Sequence, residues 1–467
     1  MDHSLAQVLA EGKGLEELEK DIWEEACEWA KAKVKQTMED LDIALSKGRE
    51  KGLRLIGSRP RTLITKFGDI RFERRLYRKK GSGCYRFLLD EVLKLPVKEA
   101  VSKTVAKLAF SLASVLPYAR ATKLLAEFLP QSFSATALQR MVWRFGERVE
   151  AEEAKRQEAV FENGEVPAMG EEPASRLMVE ADGVSVALQR EEQRRGEVKV
   201  GIGYTGWKRV AHQRYQVEGK VVHIGMERPE TFWERFWLGA CKRYDLSNLT
   251  YVALNGDGAK WISEGLMGIP GVMQLDRFHL WRALKSGFGG EDQLASQVYQ
   301  EATDGGWDKA KALLESFLER PDLSEERLRA AADVYDYMAS NRAGLQDWRS
   351  RLESQPGDRS LGAMEGNVDK LIAIRTKRRG MSWRKKGVHA MAKLLQSVHE
   401  DEVATYASPY RRKPADQSVT ARSTRVLTGK TLCQESPFQA SLPGVTGPHA
   451  NRPWAKLLKA IATPSLN

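Results

Sequence analysis

Apolar residues recur at helical spacing over residues 15–57, interleaved with charged residues of both signs. Leu15, Leu18, Ile22 and Trp29 follow the three- and four-residue steps of an amphipathic helix. This pattern predicts one or two long helices, and we assign residues 1–57 to an N-terminal helical region.

A different pattern begins near residue 60, where TLITKFGDIRFERRLYRK carries apolar residues on both sides of a Phe-Gly-Asp turn and predicts a β-hairpin. Between residues 102 and 150 helical spacing returns in three segments, and Ser134 can cap the third because its hydroxyl accepts a backbone N–H. Two short helices, a tight turn and a third helix fit a helix-turn-helix, and a plain helical bundle fits them equally. We therefore predict a β-hairpin plus helix-turn-helix-like DNA-binding domain over residues 58–150.

Residues 151–175 are acidic and contain Gly and Pro, which indicates a linker. Beyond it, strand-like and helical segments follow in the order β-β-β-α-β-α-β. The strands are predicted over 177–188, 197–207, 214–226 with a turn at Gly219, and 248–258, which ends in a Gly-Asp-Gly turn. Residues 271–280 are predicted as a last strand that runs into a helix. This order predicts a mixed α/β sheet with helices on its faces, and ribonuclease-H-like nucleases and transposases share it. We assign residues 176–286 to the first part of such a ribonuclease-H-like core.

Residues 287–358 are rich in Ala, Leu, Glu and Arg at helical spacing and show no strand pattern, which predicts an all-helical insertion. The core resumes over 359–400, first with a helix in SLGAMEGNVDKLIAIRTKRRG and then with a basic segment. Periodicity fades over the C-terminal tail, 401–467, where only 452–461 predicts a helix.

Composition narrows the class of protein. The 467 residues include 74 Lys and Arg against 63 Asp and Glu, a formal net charge of +11 that favours a polyanionic partner. The longest apolar stretch, Leu108–Leu116, is far shorter than the roughly 20 residues of a membrane helix, and we expect no secretory signal. The four cysteines form no CxxC pair, which argues against a zinc ribbon or a disulfide scaffold. We expect a cytoplasmic protein with no membrane partner.

Three carboxylate side chains are the candidate catalytic and metal-binding residues. Asp182 lies in the first predicted strand within EADG, Asp257 follows the fourth within NGDG, and Glu365 begins the helix after the insertion. Side chains at the carboxyl ends of strands line the functional crevice of an open α/β sheet, so the two aspartates converge if their strands are neighbours. Clustered carboxylates repel one another unless cations lie between them, and Mg²⁺ prefers such oxygen ligands. Each Asp-Gly pair alone is equally typical of a simple turn.

Four segments around these acids carry a resemblance to a known family. EADGVSVALQREEQRRGEVKVGIGYTGW, LNGDGAKWI, LDRFHL and GAMEGNVDKLIAIRTKRRGMSW resemble bacterial insertion-sequence transposases of the ISLre type, long catalogued as an uncharacterised protein family. That family is similar to the wider Mutator-like group of DDE transposases. The likeness runs from the hairpin near residue 60 to RPWAKLL near the end, although residues 401–440 match little.

The resemblance implies Asp182, Asp257 and Glu365 as the first, second and third acids, which hold two Mg²⁺ ions for which Mn²⁺ can substitute. It also implies an element of Cys or Asp, two residues and then His, which Asp276 and His279 match 19 residues after the second acid. His279 would bind a catalytic carboxylate or contact the scissile phosphate. Alternatively, Asp276 caps a helix whose first turn contains His279.

The function that the resemblance implies is a DDE transposase acting on double-stranded DNA of the bacterial nucleoid. It would bind terminal inverted repeats, cleave with Mg²⁺ and join the ends to target DNA, working as a homo-oligomer. No GxxxxGK[ST] loop is present, so no nucleotide cofactor is expected. Glu180, on the same strand face as Asp182, is a reserve metal ligand or a structural partner.

Predicted DNA contacts fall in two segments, the third helix of the DNA-binding domain and the basic run after Glu365. They are Gln139, Arg140, Arg144, Arg375, Lys377, Arg378, Arg379, Arg384, Lys385 and Lys386. Trp383, inside the basic run, either stacks on an unpaired base or packs in the protein.

Three other functions stay open on the sequence alone. A catalytically inactive, transposase-derived DNA-binding protein would bind DNA without cleaving it. A ribonuclease-H-like nuclease without transposition would cut DNA yet join no ends. A carboxylate-pair glycosidase is disfavoured by the excess of Lys and Arg.

Overall fold

The computed structural model describes residue 12 and residues 14–81, 83–95 and 99–407. The chain divides into two compact units, Met1–Val142 with Glu402–Asn467, and Trp143–Asp401. The helix predicted over 452–461 lies outside the described residues. None of the helices in the described ranges combines the length and the apolar character that crossing a membrane requires.

The first unit contains a long helix packed on a β-hairpin. Helix α1 (Leu15–Lys47) lies against strands β1 (Leu53–Thr65) and β2 (Gly68–Lys79), and its Met38 shares a buried cluster with Phe72. The strands pair antiparallel through a two-residue connection, so the predicted hairpin is confirmed. Of residues 15–57, Leu15–Lys47 form a single helix as predicted, whereas the helical prediction is wrong from residue 53 onward, where β1 begins.

Short elements complete this unit, and the predicted cap at Ser134 is present together with a second serine cap at Ser102. Ser102 accepts the N–H of Val105 at 3.3 Å, and Ser134 accepts the N–H of Ala137 at 3.1 Å. The elements are β3 (Tyr85–Arg86), α2 (Leu88–Val92), α3 (Lys103–Val115), α4 (Tyr118–Phe128), the start of α5 (Ala135–Gln157) and a last turn, Val403–Tyr406.

Helix α5 is longer than predicted. It continues to Gln157 and then through a π-helical turn, Glu158–Glu162, so the first part of the expected linker 151–175 is helical. The acidic composition that indicated a linker has another cause, because Glu153 pairs with the buried Lys393 at 2.8 Å. From the sequence alone, an acidic side chain in a helix is expected to face solvent when the basic residue that pairs with it lies far away in the chain.

The second unit is built on a five-stranded sheet. The strands of this unit are β4 (Glu172–Pro173), β5 (Arg176–Ala187), β6 (Arg195–Tyr204), β7 (Gly206–Ala211), β8 (Arg214–Glu218), β9 (Val221–Gly225), β10 (Tyr244–Asp245), β11 (Tyr251–Gly256) and β12 (Gly271–Leu275). Five of them form the sheet, in the order β12-β11-β5-β6-β9. Strands β5, β11 and β12 are parallel, whereas β6 is antiparallel to both β5 and β9. The carboxyl ends of the three parallel strands therefore meet at one edge.

The strand predicted over 214–226 is wrong as a single element. Strands β7 and β8 form a separate ribbon, and only β9 joins the sheet. The break falls at the predicted turn, where Gly219 has a φ of +67° and its carbonyl accepts a hydrogen bond from Tyr244. The predicted strand 197–207 likewise ends at Tyr204, because the ribbon begins at Gly206.

Helices cover both faces of the sheet. They are α6 (Pro229–Cys241), α7 (Lys260–Ser263), α8 (Arg277–Phe288), α9 (Asp292–Thr303), α10 (Trp307–Leu318), α11 (Glu325–Ser340), α12 (Met364–Val368), α13 (Ile374–Thr376) and α14 (Lys385–His399). In β5, Leu177 and Val179 pack against Trp233 of α6, whereas Glu180 bonds to residues that begin α12. Side chains alternate between faces along a strand, so α6 and α12 lie on opposite sides. The predicted mixed α/β class is confirmed.

Residues 287–358 form the helical insertion. Helices α9, α10 and α11 surround their own buried cluster, which includes Phe288, Phe317 and Met338. These residues, all of them described, contain no strand, as predicted. After the insertion, α12 continues through a π-helical segment, Asp369–Ala373, into α13.

Candidate active site

Asp182 lies in β5, the middle strand of the sheet. Its side chain is half-buried, and Oδ1 accepts the N–H of Gly183 at 2.7 Å. The neighbouring strand β11 runs parallel to β5 and pairs Asn255 with Glu180, two residues before Asp182. The strand carrying the first acid is thus a direct neighbour of the strand that leads to the second.

Asp257 follows the last residue of β11 and begins a tight turn. Its Oδ1 accepts the N–H of Ala259 at 2.9 Å, and its backbone carbonyl accepts the hydroxyl of Tyr337 from α11 at 2.7 Å. Gly258 has a φ of +93°, and a Cβ there would lie 2.5 Å from Asn341, so only glycine fits. The turn interpretation of the Asp-Gly pair is confirmed, and such a turn can also present a carboxylate.

Glu365 lies in the first turn of α12 and is exposed. The residue before it, Met364, is buried and donates its N–H to Glu180 at 3.1 Å. Helix α12 therefore begins against β5, on the face that also carries Asp182.

The electrostatics of Asp182 show that the predicted residues share one neighbourhood. Burial, together with the negative charges of Asp257 and Glu365, raises the pKa of Asp182 to about 6. The N–H of Gly183 and the imidazole of His279 act in the opposite direction. Asp182 is thus influenced by the charges of Asp257, His279 and Glu365, although these residues come from separate parts of the chain.

Asp276 caps α8, as the structural interpretation expected. Its Oδ1 accepts the N–H groups of Phe278 and His279 at 3.0 and 3.1 Å, and its Oδ2 accepts the side-chain amide of Asn255 at 2.8 Å. The cap fixes the turn that carries His279, whose partly exposed ring lies near Phe278. The capping interpretation is therefore confirmed, and it is compatible with the other interpretation because the cap fixes the turn that carries His279.

A buried polar network lies beneath the carboxylates, and sequence reasoning missed most of it. Asn255 donates to Glu180 at 3.1 Å and to Asp276, and it accepts a bond from Gln274 at 3.3 Å. Gln274 in turn accepts the backbone N–H of Trp348 at 3.0 Å. The available signal was a polar residue inside each of two apolar strands, in YVALNG and GVMQL, because such residues need buried partners.

The carboxylates fit divalent cations by their chemistry. Asp182, Asp257 and Glu365 offer hard oxygen ligands of the kind that Mg²⁺ and Mn²⁺ prefer. They do not belong to the group of described ligand atoms that lie within 4.8 Å of one another.

The compact group of metal-ligand types is a different one, formed by Glu153, His223 and Glu227. The fully buried Lys393 places its Nζ 2.8 Å from Glu153 and 3.1 Å from Glu227, and Arg235 lies 3.7 Å from Glu227. These side chains already supply the cations that the carboxylates require. The group is therefore a buried ion-pair network, which leaves no place for a metal ion.

The predicted DNA contacts of the basic run divide by exposure. Arg375 is buried with its guanidinium 5.0 Å from the ring of Trp383, which is itself buried and bonded to the carbonyl of Thr376. Trp383 thus packs in the protein. Exposed members are Lys377, Arg378, Arg384, Lys385 and Lys386, of which Arg378 pairs with Asp369 and Lys386 with Glu147. The side chain of Arg379 lies outside the described part of the structure.

The three predicted contacts in α5 differ in their surroundings. Arg140 and Arg144 are exposed, whereas Gln139 is half-buried. Exposure of two arginines on one helix suits phosphate contact.

A family model described as an uncharacterised protein family, UPF0236, matches residues 8–405. The segment RPWAKLL, which the resemblance included, lies outside that match. Two UPF0236 proteins of Caldanaerobacter subterraneus subsp. tengcongensis are each 23% identical over 393 residues, which is 83% of this chain and 78% and 74% of the relatives. Neither name states an activity.

Proposed function

The chain belongs to the uncharacterised protein family UPF0236, and on this premise we propose that it is a DDE transposase. One observation carries the proposal: Asp182 in β5 lies beside the parallel strand that leads to Asp257, and α12 begins with Glu365 against the same face of β5. Carboxylates from separate segments that converge in this way typically hold the ions of a phosphoryl-transfer site.

The sheet supports a ribonuclease-H-like core. Three strands of an antiparallel meander, β5, β6 and β9, are followed by two strands that lie parallel to the first, on its other side. The helical insertion separates this core from α12, which returns to β5 with the third acid. This is the order that the sequence pattern predicted for nucleases and transposases of that class.

The residues have distinct tasks in such a reaction. Asp182, Asp257 and Glu365 would hold the cations, and the turn at Gly258 and the cap at Asp276 fix the surrounding backbone. Two Mg²⁺ ions, held by these carboxylates, would supply activation of a water or 3′-hydroxyl and stabilisation of the leaving oxygen. The exposed cations near Trp383 bind DNA phosphates and position the scissile strand.

The partners follow from this chemistry. The substrates are double-stranded DNA with terminal inverted repeats and a target duplex. Two ends must be processed together, so we propose that the active form is a homo-oligomer assembled on DNA.

The deciding experiment is a Mg²⁺-dependent cleavage and strand-transfer assay on the DNA that flanks this gene. Cleavage and joining that disappear in Asp182→Ala support the proposal. Asp304→Ala, which changes an exposed aspartate of the insertion, is the control and should behave as wild type.

Other outcomes favour the other functions. Binding without cleavage in Mg²⁺ or Mn²⁺ indicates an inactive DNA-binding protein. Cleavage without joining indicates a nuclease. If the protein neither binds nor cleaves, the proposal is overturned.

A further inference from the structure

Glu180 is fully buried and its carboxylate receives four hydrogen bonds. Oε1 accepts the hydroxyl of Tyr204 at 2.5 Å and the N–H of Ala363 at 3.0 Å. Oε2 accepts the side-chain amide of Asn255 and the N–H of Met364, both at 3.1 Å. Both oxygens therefore face donors from the sheet and from the start of α12.

These donors favour the ionised carboxylate. Burial raises the pKa of Glu180, and the hydrogen bonds from Tyr204 and the backbone act against that shift. Three of the four donors are N–H groups, which cannot accept a proton from a neutral carboxyl. A buried carboxylate with this set of partners is stabilised only in the arrangement that supplies them all.

We propose that Glu180 is a positioning residue, which clamps the start of α12 to β5 and thereby places Glu365 beside Asp182. This inference rests on the proposed function for its meaning in catalysis. Met364 is bonded to Glu180 and is followed directly by Glu365, so movement at the clamp transmits to the third acid. Metal-binding sites tolerate little displacement of their ligands.

The hydrogen bonds of the clamp also argue against Glu180 as a metal ligand. Its oxygens are taken up by donors beneath the site, whereas Glu365 is exposed and Asp182 is half-buried. Glu180 acts through the backbone of α12 and does not touch the reacting atoms.

The first test is Glu180→Gln in the full chain. The new amide places an N–H₂ group against donors, so the clamp loses at least one acceptor. We expect the affinity for Mn²⁺, measured by electron paramagnetic resonance, to fall about 10–100-fold, as for partners that orient metal ligands. The cleavage rate should fall to a similar extent, with the affinity for end DNA unchanged. Glu218→Gln, on the exposed strand β8, is the matched control.

A second variant acts from the opposite side of the clamp. Ala363→Pro removes one N–H donor and leaves Glu180 intact, and the φ of −71° at Ala363 suits proline. Ala363→Ser keeps the N–H and is its control. We expect a smaller loss of Mn²⁺ affinity for the proline variant than for Glu180→Gln and none for the serine variant. If Glu180→Gln does not fold, this pair decides the matter.

Amide hydrogen exchange separates this inference from the proposed function. In metal-free protein, Glu180→Gln should speed exchange at Ala363 and Met364 at least about tenfold while the amides of α6 keep their protection. Unchanged exchange, or unchanged Mn²⁺ affinity and cleavage in a folded variant, overturns the clamp. Wild-type protein that neither binds Mn²⁺ nor cleaves DNA overturns the proposed function, and the exchange result still tests the clamp.

Discussion

The hydroxyl of Tyr337 donates a hydrogen bond of 2.7 Å to the backbone carbonyl of Asp257. Tyr337 lies in α11 of the insertion, and Asp257 is the second acid of the candidate site. The insertion therefore supports the turn that presents Asp257, in addition to forming most of a buried cluster.

Tyr337→Phe should slow cleavage about 3–10-fold, because the turn at Asp257 loses its support while the ring remains. Loss of one hydrogen bond should lower the free energy of unfolding by only about 0.5–1.5 kcal/mol. Single-turnover cleavage and urea denaturation measure the two effects. Tyr335→Phe, on the same helix with its hydroxyl bonded to the exposed Glu315, is the control. Equal cleavage rates for the two variants would contradict this role.

Asp257→Asn should abolish cleavage and leave binding of the inverted repeats intact. The amide keeps an oxygen that can accept the N–H of Ala259, so the turn survives while the charge that holds a cation is lost. We expect the rate to fall at least about 100-fold, roughly 3 kcal/mol in the barrier. Asp245→Asn, where the same kind of turn involves Ser247, is the matched control. Loss of DNA binding together with cleavage would count against a catalytic role.

Lys393→Met should destabilise the protein by about 3–5 kcal/mol, because it leaves the carboxylates of Glu153 and Glu227 buried without their shared cation. Thermal or urea denaturation gives the difference. Lys386→Met, on the same helix but in an exposed pair with Glu147, should change stability by less than about 1 kcal/mol. Similar values for both lysines would mean that the network contributes little.

Stability should fall as the pH drops from about 6.5 towards 4, partly through His399. Burial and the nearby charge of Lys220 lower the pKa of His399 to about 4, from an ordinary value of 6.5. The unfolded chain therefore takes up a proton over this range that the folded protein resists, which favours unfolding. Discounted for solvent screening, the effect is about 1–2 kcal/mol.

Urea denaturation of wild type and His399→Gln at pH 7.5 and pH 4.5 tests this contribution. The variant should lose less stability than wild type between the two pH values. His212→Gln, on the exposed β7–β8 ribbon, should follow wild type. An unchanged pH dependence in His399→Gln would contradict the assignment.

Local patterns were enough to predict much of the sheet. Runs of apolar residues predicted most of the strands, and they placed Asp182 within one strand and Asp257 directly after another, where the structure has them. The position of Glu365 followed from the helical pattern after the insertion. These features depend on neighbours within a few residues, which sequence patterns report directly.

The sequence could not predict which residues that are distant in the chain contact each other in the fold. Glu153 falls in the predicted linker because its partner Lys393 is hundreds of residues away. Arg375 is among the predicted DNA contacts because its packing against Trp383 depends on a folded turn. The ribbon of β7 and β8 was missed because a strand that leaves a sheet has the same alternation as one that stays.

The bond between Ala363 and Glu180 joins residues that are 183 positions apart. Closing so long a loop is entropically unfavourable until the intervening sheet and insertion have formed, so this contact belongs to the late stages of folding. During synthesis the ribosome must release α12 before the third acid can reach the first two. On the proposed function, we therefore expect a nascent or truncated chain without α12 to leave DNA uncut, because its third acid is missing.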